Sequence, residues 1–184
     1  MQVVNRSSRK KYMILLFGKM FQLFREYAKR FQHCIISTLR CTYYIGTGRF
    51  CPVCGRKSRR FAAYGVVPRE DAKCMNCGAL ERHRFVWLFF ERMTDLFDGG
   101  PKKVLHIAPE HAFKALKKRL GDGYLTADLN NPRAMVRMDI TDIQFPSDTF
   151  DVIYCSHVLE HVPDNRRAIR ELYRVLKPKG WGPY

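Results

Sequence analysis

Apolar positions in this chain switch between two periods. Lys103 to Ala108 (KVLHIA), Tyr124 to Asp128 (YLTAD) and Val152 to Cys155 (VIYC) are short β-rich apolar runs, the form taken by strands buried on both faces of a parallel sheet. The stretches between them repeat every three or four residues. Leu80, Phe85, Trp87, Leu88, Phe89, Met93, Leu96 and Phe97 predict a helix over 79–97 that ends at Asp98-Gly99-Gly100-Pro101. Residues 110–120 predict a second helix. Ala168, Ile169, Leu172, Tyr173, Val175 and Leu176 predict a third, started by Pro163-Asp164-Asn165 and stopped by Pro178. Strands alternating with helices in this way indicate an α/β domain with a parallel sheet. In such sheets ligands bind beyond the carboxyl ends of the strands.

The first 45 residues read differently. Ile14, Phe17, Phe21, Phe24, Ala28, Phe31 and Ile35 fall mostly three or four apart with Lys19, Arg25, Lys29 and Arg30 between them, which predicts a helix with one aromatic face and cations elsewhere. Of the 33 Lys and Arg, fourteen lie in residues 1–60 against one Glu, so the formal charge of +16 is concentrated in the N-terminal third. Such a segment packs on the protein with its charges in water, rests on RNA or an anionic membrane surface, or stays an unfolded tail, and charge alone does not choose. Its apolar run, Tyr12 to Phe17, is far shorter than the roughly 20 residues a spanning helix needs, so no transmembrane span is expected.

Four of the seven cysteines stand in two C-x-x-C pairs, Cys51/Cys54 and Cys74/Cys77, nineteen residues apart and each followed by glycine, Gly55 and Gly78. That spacing predicts a zinc ribbon, since each knuckle aims two sulfurs at one tetrahedral Zn2+ and glycine permits the tight turn. Four thiolates close the coordination sphere, which makes the metal structural and leaves His83 no ligand role. The same usage points to a reducing, cytoplasmic setting. Arg56, Lys57, Arg59, Arg60, Phe61, Tyr64 and Arg69 between the knuckles suit nucleic acid and a solvated ribbon equally well. The expected domains are a basic amphipathic segment over 1–45, the ribbon over 46–79 and an α/β domain over 80–184.

Phe150 to Gly180, FDVIYCSHVLEHVPDNRRAIRELYRVLKPKG, resembles the strand-four segment of class I S-adenosylmethionine-dependent methyltransferases of the type 11 group, with its H-V-L-E-H-V loop and L-x-R-V-L-K-P ending. The resemblance implies a Rossmann-like, doubly wound, mostly parallel sheet. Four to five strands are expected where the family has seven, because Lys179-Gly180-Trp181-Gly182 replace the Gly-Gly turn and the strand after it. This reads as a C-terminally truncated copy.

Asp128 closes the second strand about twenty residues after the first strand-to-helix turn, where a carboxylate accepts both hydroxyls of a ribose, so the spacing itself points to an adenosine cofactor. The resemblance names S-adenosyl-L-methionine and places the cofactor against the first junction (His106, Ala108, Glu110), Asp139 and Ile140, and Ser156. A capping role in a turn is the alternative for Asp139. Family members carry an acidic residue and Gly-x-Gly at the first junction. Here Ala108 is the small residue, and Glu110 can accept from an ammonium group. The resemblance also places His157 beside the methyl donor as cofactor-lining residue and catalytic base. Serine-hydrolase, metalloprotease and P-loop patterns are absent. The expected activity is methyl transfer to an unspecified acceptor, small-molecule or macromolecular. The alternative is a catalytically inactive zinc-ribbon protein that binds RNA or an anionic surface.

Overall fold

The structure, a computed structural model, describes residues 42–183 together with Lys19 and residues 25–27. The chain divides into a unit Met1–Gly46 and a unit Thr47–Tyr184. In the first, Lys19 and residues 25–27 and 42–44 are helical, while the apolar positions Ile14, Phe17, Phe21, Phe24, Ala28, Phe31 and Ile35 of the expected amphipathic segment lie outside the described residues, as do Cys34 and Cys41. Among the described residues no helix is long and apolar enough to cross a membrane.

The second unit opens with two hairpins. β1 (Arg49–Cys51) pairs antiparallel with β2 (Arg56–Ser58), and β3 (Ala62–Tyr64) with β4 (Arg69–Lys73). Helix α1 (Glu81–Met93) follows directly and buries His83, Trp87 and Phe90, one stripe at helical spacing. It ends four residues before the predicted Phe97. The Thr94 hydroxyl donates to the Phe90 carbonyl at 2.8 Å and accepts from the Leu96 N–H at 3.3 Å, offering the backbone an alternative to another helical turn. Arg84 ties α1 back to the hairpins: its guanidinium donates to the carbonyls of Ala72 (2.8 Å) and Ala79 (3.1 Å) and lies 4.3 Å from the Phe61 ring centre.

The remainder is a five-stranded parallel sheet. Its strands are β5 (Val104–Ile107), β6 (Tyr124–Asp128), β7 (Val136–Arg137), β8 (Phe150–Cys155) and β9 (Leu176–Trp181), in the order β7-β6-β5-β8-β9. Helix α2 (Lys114–Leu120) joins β5 to β6, and α3 (Asn165–Val175) joins β8 to β9. This is the α/β architecture with a parallel sheet that the alternation predicts, Rossmann-like as the resemblance implies, with β7 and β9 added to the three strands legible as apolar runs. LKPKGW does not look like a strand because Pro178 cannot donate to a ladder. Among the described residues β9 pairs only with β8, and that pairing shifts register between Phe150 and Val152.

Period-two alternation splits the strands between two cores. Val104, Tyr124, Val152 and Tyr154 join Trp87, Phe90, Phe113 and Leu116 of the α1 and α2 side, while Leu105, Ile107, Ile153 and Cys155 join Ala168, Leu172 and Val175 of α3. Cys51 and Cys74 belong to the first of these cores, so hairpins, α1 and sheet share one apolar cluster. Asp151, the acid of the Phe-Asp lead-in, sits at the opposite end of the sheet from the strand exits. Its carboxylate accepts from the Lys103 N–H at 2.7 Å and from Lys177 at 2.8 Å, which ties β5, β8 and β9 together.

Candidate functional site

Strand order reverses beside β5, since β6 lies on one side of it and β8 on the other. That switch point opens a crevice at the carboxyl ends of the strands. A cleft of about 330 Å³ occupies it. Its walls come from four strand exits: Ala108 after β5, Asp128 at the end of β6, Met138-Asp139-Ile140 after β7, and His157 with His161 after β8. Five residues singled out from sequence, Ala108, Asp128, Asp139, Ile140 and His157, therefore meet in one place.

Each exit is held by local hydrogen bonds. Asp128 Oδ1 accepts from the N–H groups of Asn130 and Asn131, both at 2.8 Å, while Oδ2 has no hydrogen-bond partner among the described residues. Asp139 Oδ1 accepts from the N–H and the hydroxyl of Thr141, both at 2.8 Å, so this residue caps its turn. The Thr141 N–H holds the Asp139 carboxyl below the usual carboxylate range. Ile140 is buried beneath the cleft. Ala108 and His157 carry φ of 48° and 55°, the left-handed region that glycine adopts without strain, and both stand at strand exits lining the cleft. Ala108 thus takes the backbone conformation of the absent glycine. Replacing it by Gly should relieve about 1–2 kcal/mol of strain and return part of that through the looser unfolded chain. The expected net gain is about 0.5 kcal/mol, read as a higher denaturant midpoint. A lower midpoint would count against strain at this exit.

The other three predicted residues lie elsewhere. His106 faces the α1 and α2 side of β5 and is buried. Its Nδ1 is 2.6 Å from the Tyr124 hydroxyl, and its ring centre is 4.7 Å from that of Tyr154. Burial lowers its pKa to about 4, so it is neutral at physiological pH. Ser156 lines a neighbouring cleft of about 340 Å³ with Val86, Tyr154, Glu160 and Pro183, which shares His157 with the first. Glu110 sits between the sheet and α1, where its Oε1 accepts from Arg82 at 3.0 Å and lies 2.8 Å from His83 Nε2. The Leu80 N–H donates to His83 Nδ1 at 3.0 Å, which leaves the ring proton on Nε2 to donate to Glu110. Burial alone would raise the Glu110 pKa. The His83 and Arg82 bonds outweigh it and hold the carboxyl at about 2. Glu110 Oε2 is buried with no hydrogen-bond partner among the described residues.

Sequence reasoning missed the Arg82–His83 clamp and the cleft residues Leu129 and Asn130. The latter follow directly on Asp128, a position that could have marked them. No spacing rule links residue 83 to residue 110.

The four cysteine sulfurs lie within 4.8 Å of one another, with Cys51 to Cys77 at 3.7 Å and Cys54 to Cys74 at 3.9 Å. A tetrahedron whose centre is about 2.3 Å from each sulfur has an edge of about 3.8 Å, so the set fits one ion of zinc size. Gly55 and Gly78 have φ of 66° and 76°, and their N–H groups donate to the carbonyls of Cys51 and Cys74 at 2.9 and 2.8 Å, closing each knuckle. The Cys74 N–H donates to the Ala79 carbonyl at 2.8 Å, two residues before α1 begins.

Residues 93–182 match the family model described as a methyltransferase domain. The demethylmenaquinone methyltransferase of Listeria monocytogenes serovar 1/2a is 39% identical over 54 residues, which covers 29% of this chain and 22% of that enzyme. The methyltransferase YcgJ of Bacillus subtilis is 47% identical over 38 residues, 21% of this chain and 15% of that protein. Its crystal structure aligns with a TM-score of 0.38 at 26% identity, covering 44% of this chain and 42% of that chain. An S-adenosylmethionine-dependent methyltransferase from Mesorhizobium loti aligns with a TM-score of 0.41 at 21% identity, covering 52% and 50%. The chain spans less than a quarter of the length of the curated relatives it matches. Over residues 93–182 the chain is similar to the methyltransferase domain family.

Proposed function

We propose that the cleft at the strand exits binds S-adenosyl-L-methionine and that the chain transfers its methyl group to an acceptor of unassigned class. The observation that carries this reading is the convergence of Ala108, Asp128, Asp139, Ile140 and His157, from four separate strand exits, on one cleft at the switch point. When bound, the cofactor supplies an electrophilic sulfonium methyl. The protein's own task is to position the partners and exclude water. Asp128 has Oδ2 left for ribose hydroxyls, and Asp139 with Ile140 stands where an adenine edge would lie. Glu110 is ionised, with a buried oxygen unused, and suits an ammonium group at the first junction.

His157 is the base in this reading. Its Nδ1 is 3.3 Å from Glu160 Oε1, so a proton held there leaves the Nε2 lone pair for the acceptor. The adjoining cleft lined by Ser156 and Glu160 would take that acceptor. The four thiolates would hold a structural zinc, with no open position for catalysis. In domain terms, the ribbon over 46–79 would brace a methyltransferase domain over 80–184. Nothing in the geometry favours the inactive binding module.

Calorimetric titration with S-adenosyl-L-methionine tests the reading. The wild-type chain should bind one equivalent. Asp128→Asn, which keeps an oxygen for the Asn130 and Asn131 N–H groups, should weaken binding about tenfold, roughly 1.4 kcal/mol. Absence of wild-type binding overturns the cofactor assignment, and full affinity in Asp128→Asn overturns the ribose contact.

A further inference from the structure

The link between β6 and β7 is short for a parallel pair. Such neighbours usually need a crossover of a dozen or more residues, most often a helix that covers one face of the sheet. Here residues 129–135 make the connection, and among the described residues no helix stands between β6 and β7. A cavity of about 600 Å³ lies in the gap, between α2 and the 131–135 loop.

The loop wall is pinned in place. Asn131 Oδ1 accepts from the Arg133 N–H at 3.0 Å, and the Met135 N–H donates to Thr126 Oγ1 at 2.9 Å, so the cavity is held by hydrogen bonds to the strand it borders. Cations line both walls. Lys114 and Lys117, three apart on α2, face the cavity from one side and Arg133 from the other. Among the described residues the Lys114 and Arg133 side chains have no hydrogen-bond or ion-pair partner. Lys117 has only the Gly121 carbonyl at 3.1 Å and exposed Asp122 at 3.8 Å. Glu110 is the one carboxylate lining the cavity among the described residues, and Arg82 offsets its charge. Pro109, Met135 and Tyr124 supply apolar surface beside the cations.

We propose that this cavity is a binding site for a small organic phosphate ester, its dianionic head between Lys114 and Arg133 and its apolar body against Pro109 and Met135. Two unpaired cations on opposite walls suit a doubly charged, multi-oxygen head better than a single carboxylate. A volume of this size, part apolar with a few convergent charges, suits a small molecule. The cavity shares no lining residue with the cleft at the strand exits and meets the proposed cofactor contacts only at Glu110, so occupancy of the cavity is tested separately from cofactor binding.

Calorimetric titration of the full chain with phenyl phosphate tests it, with excess S-adenosylhomocysteine present throughout. Phenyl phosphate should bind at low millimolar concentration or better, more tightly than benzoate or inorganic phosphate, and phenol should not bind. Lys114→Ala and Arg133→Ala should each weaken binding about fivefold or more, with unfolding midpoints unchanged because both side chains are exposed. The proposal is overturned by no phenyl phosphate binding at about 10 mM, by benzoate or phenol binding as tightly, or by undiminished binding in both folded variants.

Discussion

Stripping the metal with a chelator, or replacing Cys74 by Ser, is expected to cost this protein more than any other single change. Structural zinc in four-thiolate sites is worth about 10–16 kcal/mol of apparent binding free energy at neutral pH, and that energy is folding energy where the site does not pre-exist in the unfolded chain. Cys51 and Cys74 are fully buried in the cluster that contains Trp87 and Phe90. Loss of the ion therefore leaves like-charged thiolates, or unpaired thiols, against the core shared by the hairpins, α1 and the sheet. Phe90 alone packs its ring 5.6 Å from Tyr154 of β8 and 6.0 Å from Trp181 of β9, so disorder at the knuckles spreads into the sheet. Elemental analysis should find one zinc per chain in the wild type and in Cys155→Ser, whose thiol lies outside the cluster, and none in Cys74→Ser. Thermal unfolding of Cys74→Ser should begin far below the wild type. Wild-type protein that purifies without metal and keeps its melting transition after chelation would remove the ribbon from this account.

Replacing Glu110 by Gln should produce the second largest effect, with a pH signature. The carboxyl is held at about 2 against an ordinary 4.5, so the folded state keeps it ionised where the unfolded chain already takes up a proton. Its contribution to stability is complete above pH 4.5 and is lost as pH falls toward 2. With the side chain 22% exposed, the contribution is about 3 kcal/mol. Glu110→Gln keeps an oxygen for His83 but not the charge. It should lower stability at pH 7 by roughly that amount and flatten the acid limb between pH 4.5 and 2. Denaturant unfolding at pH 7, 4.5 and 2.5 measures both. Parallel pH profiles for the two proteins would mean that the clamp carries no net energy. Because Arg82 and His83 lie on the helix that leaves the second knuckle, this clamp also runs from the cysteine site to the first strand-to-helix junction.

The strands at 124–128 and around 152–155 were legible because apolar runs flanked by polar turns have few other stable uses. The cysteine knuckles were legible because the chemistry is local: two thiols three apart and a glycine suffice to define each half-site. β9 was not legible, since its Pro178 is acceptable only on an edge, and whether a strand is an edge depends on what lies beside it. The end of α1 turned on where the Thr94 hydroxyl points. His106 and Glu110 look alike as members of one junction, yet strand alternation buries the first behind the sheet while the second meets a helix 27 residues earlier in the chain.

By itself the sequence determined the alternation of strands and helices, the two C-x-x-C half-sites, the acid at the end of β6 and the family of the strand-four motif. All of these are set by neighbours within a few residues. Only the tertiary structure decided that four strand exits share one cleft, that Ala108 adopts a glycine's backbone there, and that Arg82 and His83 clamp Glu110. It alone also decided that a short β6–β7 link leaves a cation-lined cavity. Contacts of that kind join residues far apart in the chain, and their geometry comes from how the two cores pack, which no local pattern encodes.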